Sequence, residues 1–161
     1  MQMTLRRATL ADMPGLVKLL YQVEGVHQIG RPDLFREGAR KYTDTELEQI
    51  IADDERPIFV AVDDEAPAGE VLGYAFCVYE VYDGDNSRCD MKTLYIDDLC
   101  VDEDCRGQHV GTAIYDHVLD FARAEGFYNV TLNVWSCNPT AQAFYEARGL
   151  KPYKVGMEKI L

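Results

Sequence analysis

The chain has 161 residues, with 28 acidic side chains against 16 basic and a formal net charge of -12. So acidic a balance excludes a general nucleic-acid binder, which needs a basic face for a polyanionic backbone; it suits cationic or amine ligands, although solubility alone also accounts for it. Five scattered cysteines without a CxxC pair signal neither a disulfide framework nor a metal site, and no apolar leader or run of about eighteen apolar residues occurs, so we expect a cytoplasmic protein with no membrane contact.

In chain order, a short strand over residues 4–8 precedes Thr9-Leu10-Ala11-Asp12, a capping pattern with an acid three residues after the threonine. Met13, Leu16, Val17, Leu20 and Val23 then recur at helical spacing and predict a first helix. Residues 25–40 mix Gly, Pro and His without a period and predict an irregular loop. Thr43-Asp44-Thr45-Glu46 repeats the capping pattern ahead of Leu47, Ile50 and Ile51, a short second helix. The β-rich runs 58–62 and 71–82 flank turn formers at 63–69, which predicts an antiparallel hairpin. A second turn at 83–87 leads into a strand ending in the apolar run 94–101.

From Val110, the residues Ile114, Val118, Phe121 and Ala122 lie at helical spacing, and Gly126 stops that helix before a strand at 128–135. A helix between two strands makes them parallel. Asn138-Pro139 supplies a cap and a proline for the next helix, which carries Ala141, Phe144 and Tyr145 and ends at Gly149; a strand pair over 153–160 follows. The order β, α, α, β, β, β, α, β, α, β is that of an α/β chain, a single domain over 1–161, with a central mixed sheet and helices on both faces.

Between the strand ending at Val101 and the helix at Val110 lies Cys105-Arg106-Gly107-Gln108-His109-Val110-Gly111-Thr112. A strand, a glycine-bearing loop and a helix start bring backbone N–H groups and a positive helix end to one anion. A Walker loop would need a lysine after its last glycine, and Thr112-Ala113 follows instead. A dinucleotide fingerprint would need a third glycine at a spacing that Gly107 and Gly111 do not have.

Residues 101–112 resemble the acetyl-CoA pyrophosphate loop of the GNAT superfamily of N-acetyltransferases, whose pattern is Arg or Gln, two residues, Gly, one residue, then Gly or Ala. Arg106 and Gly111 fit its ends, and His109 stands where the middle glycine is usual, so the backbone there has to tolerate a side chain. Downstream, Asn138-Pro139-Thr140-Ala141-Gln142-Ala143-Phe144-Tyr145-Glu146-Ala147-Arg148-Gly149 resembles the family's Asn, Ala, Phe-Tyr, Gly segment. The resemblance implies a GNAT-like acyl-CoA N-acyltransferase fold and acetyl transfer from acetyl-CoA to a primary amine, without a metal. It implies that Arg106, Gly107, Gln108, His109, Val110, Gly111 and Thr112 hold the pyrophosphate. Leu99, Cys100 and Val101 would pair with the pantetheine arm as an added strand does, and Asn138 and Phe144 would also meet the cofactor.

By the same resemblance Tyr145 protonates the departing CoA thiolate, a task open to a phenol, which is protonated at neutral pH. The run Tyr95-Ile96-Asp97-Asp98-Leu99 resembles the acid-bearing strand of the diamine and polyamine N-acetyltransferase branch and places Asp97 at the acid that binds or deprotonates the amine. Neighbouring strand residues face opposite ways, so Asp97 and Asp98 can share the reaction centre only if a bulge intervenes. Loop 24–36, with His27, and the hairpin at 79–85 are expected to wall the acceptor site, with Asn133 and Trp135 from one strand face. Tyr145 also reads as a core aromatic, Asp97 as a solvated carboxylate, Asn138 as a plain helix cap and His27 as a solvated loop residue. Cys100 and Cys105 lie near enough to suggest an acyl-enzyme, but no histidine is spaced to activate either, so direct transfer is preferred. Small diamines or polyamines lead among acceptors. Protein lysines or N-termini, amino acids and aminoglycosides stay open, as does a CoA-binding module without turnover; the resemblance also implies a homodimer.

Overall fold

A computed structural model describes residues 2–66 and 70–161, so residues 67–69, part of the turn expected at 63–69, lie outside the described residues. Strand β1 is Met3–Arg7, and after a single 3-10 turn at Leu10–Asp12 helix α1 runs over Met13–Gly30. The rest are α2 (Asp44–Ile51), β2 (Ile58–Asp63), β3 (Val71–Tyr82), β4 (Met91–Val101), α3 (Val110–Ala124), β5 (Asn129–Leu132) and α4 (Pro139–Ala147).

The five strands form one sheet in chain order. β1 to β4 pair antiparallel, and β5 lies parallel to β4 because α3 carries the chain back across the sheet, as expected. Helices cover both faces. On one, Leu16, Leu19 and Leu20 of α1 and Leu47 and Ile50 of α2 bury against Ile58, Val60, Tyr74 and Phe76. On the other, Val110, Ile114, Val118 and Ala122 of α3 bury against Phe59, Ala61, Ala75, Cys77, Leu94 and Ile96. Residues 58–62 of β2 and 74–77 of β3 alternate between these faces, the period-two pattern of strands covered on both sides.

The caps formed where the sequence placed them. Thr43 accepts from the Glu46 N–H at 3.2 Å while its own N–H donates to Glu46 at 3.1 Å; the Thr9 N–H donates to Asp12 at 2.8 Å. Asp12 is fully buried and takes both arms of the Arg6 guanidinium, at 2.7 and 2.9 Å.

Three boundaries differ from the sequence reading. Residues 25–30, expected as loop, extend α1 to Gly30: neither Gly25 nor Gly30 breaks a helix already propagating, and the Arg31 N–H closes it onto the His27 carbonyl at 2.8 Å. β5 stops at Leu132, so Asn133 and Trp135 lie beyond the strand rather than on one of its faces. The strand pair expected at 153–160 does not form: residues 151–161 are exposed and outside any strand.

Candidate active site

β4 and β5 pair only from Thr93↔Asn129 to Ile96↔Leu132. Past that point they diverge, and residues 98–101 of β4 keep their pairing with β3 while their other edge is open. The divergence coincides with a bulge. Phe76 faces Asp98 and Cys77 faces Ile96, leaving Asp97 as the extra residue. One inserted residue shifts the strand's alternation, so Asp97 and Asp98 both turn to the α1 and α2 side, where strict alternation would have separated them. Asp97 accepts from Lys41 Nζ at 2.9 Å on each oxygen and from the Tyr42 hydroxyl at 2.6 Å. Asp98 accepts from the Tyr74 hydroxyl at 2.7 Å.

Both carboxylates line a cleft of about 110 Å³ together with His27, Asn133, Trp135, Asn138 and Tyr145. α1 delivers His27 from its last turn, and Phe35 bridges inward, its ring 5.1 Å from His27 and 5.3 Å edge-on from Trp135. α4 delivers Tyr145. Asn138 caps that helix by accepting from the Ala141 N–H at 3.1 Å, so its capping duty and its place in the cleft hold together. The hairpin at 79–85 does not wall this cleft, contrary to expectation: Tyr79 packs edge-on against Phe127 at 4.7 Å, on the other face of the sheet.

Burial pushes the Asp98 carboxyl above its ordinary range, opposed by the Tyr74 hydroxyl and the Lys41 and His27 charges and reinforced by Asp97. Burial also raises the Tyr145 phenol, and the Asp98 charge raises it further, so it is firmly protonated at neutral pH. Cys100 is buried, and its thiol is pushed up to about 12 by burial and by Asp98; burial raises Cys105 as well. Neither thiol has the thiolate character a nucleophile needs.

At the open end of β4, Asp102 is buried; burial alone would raise its carboxyl, but Lys18, the Asp104 N–H and Gln22 outweigh that and hold it low. Lys18 and Gln22 reach it from α1 at 2.5 and 3.4 Å, fixing the start of the loop. The loop then turns through Gly107 at φ 76° and His109 at φ 63° before α3 begins. His109 thus holds the left-handed conformation that a glycine takes freely, with an L side chain in place. Arg106, Gly107, Gln108 and His109 are exposed around the first N–H groups of α3. A methyl on Gly111 would sit 3.3 Å from Val101 and 3.5 Å from Phe144, so its bare backbone sets how closely α3 approaches β4 and α4. Arg148 bonds the Thr112 hydroxyl and the Phe144 carbonyl and lies 3.9 Å over the Phe144 ring, tying the end of α4 to the start of α3.

Sequence reasoning passed over Lys41, Tyr42, Tyr74, Phe35 and Arg148. Tyr74 carried a signal: a phenol inside an otherwise apolar strand needs a buried partner. Lys41, in a polar loop, carried none.

A family model described as the acetyltransferase (GNAT) family matches residues 23–150. A Xenopus laevis protein described as a probable N-acetyltransferase camello is 38% identical over 68 residues, 42% of this chain and 31% of that protein's length. Among solved structures, a tetramutant of the BH1408 protein from Bacillus halodurans superimposes with a TM-score of 0.91 at 26% identity, over 98% of this chain and 99% of its own. Glucosamine-6-phosphate N-acetyltransferase from Arabidopsis thaliana shares the fold at a TM-score of 0.72 and 22% identity, over 99% of each chain. The matched residues run from the middle of α1 through the cleft and the loop to the end of α4, and the chain belongs to the acetyltransferase (GNAT) family.

Proposed function

We propose that this protein transfers acetyl from acetyl-CoA to a primary amine by direct attack. The observation that carries it is the meeting of Tyr145, Asp97 and Asp98 in one cleft, at the place where β4 and β5 part beside the anion cradle. Residues 106–112 suit the pyrophosphate: the exposed residues 106–109, a helix N-terminus and the Arg106 charge converge there. The open edge of β4 at Leu99, Cys100 and Val101 offers backbone groups to the amides of pantetheine, which would lead the thioester down to the cleft.

In the reaction the amine nitrogen forms a bond to the thioester carbonyl carbon, the tetrahedral adduct collapses, and the C–S bond breaks. The amine's proton goes to Asp98, whose raised affinity makes it a better base than an ordinary aspartate. The CoA thiolate takes its proton from the Tyr145 hydroxyl. Asp97 places the acceptor: an incoming ammonium exchanges for Lys41 Nζ on the same two oxygens. The net charge of -12 supports a cationic acceptor, with small diamines or polyamines foremost.

The test is CoA release from acetyl-CoA with a panel of diamines, polyamines, amino sugars, aminoglycosides and lysine peptides. Turnover is expected with at least one, and Tyr145→Phe should slow its chemical step by about 10²–10⁴-fold, as loss of a general acid does, while CoA still binds. Silence across the panel by a CoA-binding protein would reassign it as a CoA-binding module.

A further inference from the structure

Among the described residues, Lys41 is the one lysine that bonds a wall of the cleft. Of the chain's six lysines, Lys18 is held by Asp102 at the loop before α3, Lys92 donates to the Glu125 carbonyl at 3.1 Å, and Lys151, Lys154 and Lys159 lie in the exposed segment after α4. Lys41 Nζ donates to both oxygens of Asp97 at 2.9 Å, and Asp97 lines the cleft beside Asp98 and Tyr145. The ammonium is also felt further in: it draws the Asp98 carboxyl and the Tyr95 phenol down, against the burial that raises both.

The loop before α2 is anchored on each side of this residue. The Arg40 guanidinium donates to Asp44 at 2.7 Å and lies 5.6 Å over the Tyr21 ring of α1. Tyr42 stacks on Phe76 at 5.5 Å and donates its hydroxyl to Asp97 at 2.6 Å, and Thr43 caps α2. With its neighbours fixed, what is left to move at residue 41 is the flexible stem of the lysine. As a brace the ion pair adds little, because the Lys41 side chain is 46% exposed and Tyr42 already fastens the loop to Asp97. Chemically it is a primary amine resting on the carboxylate assigned above to the acceptor's ammonium, and a tethered amine at the site competes as if at high local concentration.

We propose that Lys41 is itself an acceptor, acetylated within its own chain when acetyl-CoA is bound and no external amine fills the cleft. This rests on the transfer reaction proposed above. Nζ leaves Asp97, gives one proton through Asp98 to water and bonds the thioester carbonyl carbon. The C–S bond breaks, the nitrogen releases a second proton, and Tyr145 hands the thiolate its own and is reprotonated. The products are an N-acetylated Lys41, the CoA thiol and one proton. The amide carries no charge, so Asp97 keeps Tyr42 as its partner and is open to an external ammonium.

The test incubates the full chain with acetyl-CoA and no added amine at several protein concentrations, and reads the intact mass and the peptide bearing residue 41 by mass spectrometry. One acetyl group on Lys41 is expected, gained at a first-order rate independent of protein concentration. Tyr145→Phe should slow the gain by about 10²–10⁴-fold, and Lys41→Arg, which keeps a cation for Asp97, should gain none, with circular dichroism melts showing that both variants are folded. An unmodified Lys41 in a chain that acetylates an amine of the panel overturns the inference and leaves the reading of the site intact. A gain that Tyr145→Phe does not slow overturns it as uncatalysed acetylation by the thioester. A rate that rises with protein concentration overturns it as transfer between molecules, and a gain that persists in Lys41→Arg places the modified residue elsewhere. CoA binding with neither Lys41 nor any amine of the panel acetylated overturns both readings together.

Discussion

Two adjacent aspartates with different partners carry most of what is specific to this site. Asp97 is closed by a lysine and a tyrosine, whereas Asp98 has one phenol and partial burial. A carboxyl whose folded affinity for protons is raised contributes its stability below the unfolded value, near 3.9, and loses it as pH rises through the folded value. At neutral pH the Asp98 carboxylate is therefore a cost to the fold. Asp98→Asn keeps an acceptor for Tyr74 and removes that cost. It should raise the unfolding midpoint at pH 7, with the gain vanishing near pH 3, and should lower kcat by about 10²-fold or more. Urea melts at both pH values, alongside CoA release, check both halves. Asp12 has the opposite sign. Burial alone would raise its carboxyl, but the Arg6 fork and the Thr9 N–H together hold it below the ordinary range. Its stabilisation is present at neutral pH and is lost as pH falls below about 4. Asp12→Ala should cost about 2 kcal/mol at pH 7, less than the roughly 3–5 of a fully buried pair because the Arg6 side chain is 38% exposed. That deficit should shrink in melts taken near pH 3.

Among the elements, the loop entering α3 is where a local rule is broken. His109 occupies the left-handed region at φ 63°, and glycine would do so without a steric penalty. His109→Gly should stabilise the protein by about 1 kcal/mol in denaturant melts, the relief of strain exceeding the added freedom of the unfolded chain. If the pyrophosphate is held by backbone N–H groups, as proposed, CoA affinity by calorimetry should be unchanged; a loss would make the imidazole a ligand contact. The bulge in β4 is the other local exception. By adding one residue opposite Phe76 and Cys77 it brings two carboxylates to one face.

At the scale of the whole molecule, the sheet, both helical layers and the parallel crossover were legible in the sequence, because caps, turn residues and hydrophobic period act over a few neighbouring residues. The Thr43–Glu46 cap and the apolar stripe of α3 are clear cases. The glycine-bearing loop and the start of α3 were legible for the same reason, since they are contiguous. Three kinds of feature were not. The extent of α1 past Gly25 and the end of β5 at Leu132 depend on what each element packs against rather than on its own residues. The bulge at Asp97 depends on the register between two strands, which neither strand encodes alone. The Lys41 to Asp97 ion pair spans 56 residues and needs the loop before α2 to fold over β4. The strand pair expected at 153–160 fails for a like reason: among the described residues no strand pairs with that segment, and it forms none itself. The sequence by itself determined the family and the order of the elements from β1 to α4, with the glycine-bearing loop before α3, since these rest on local pattern. Only the tertiary structure decided which carboxylate pairs with a lysine and which strand edge is open, because both are properties of pairs of residues brought together across the sheet.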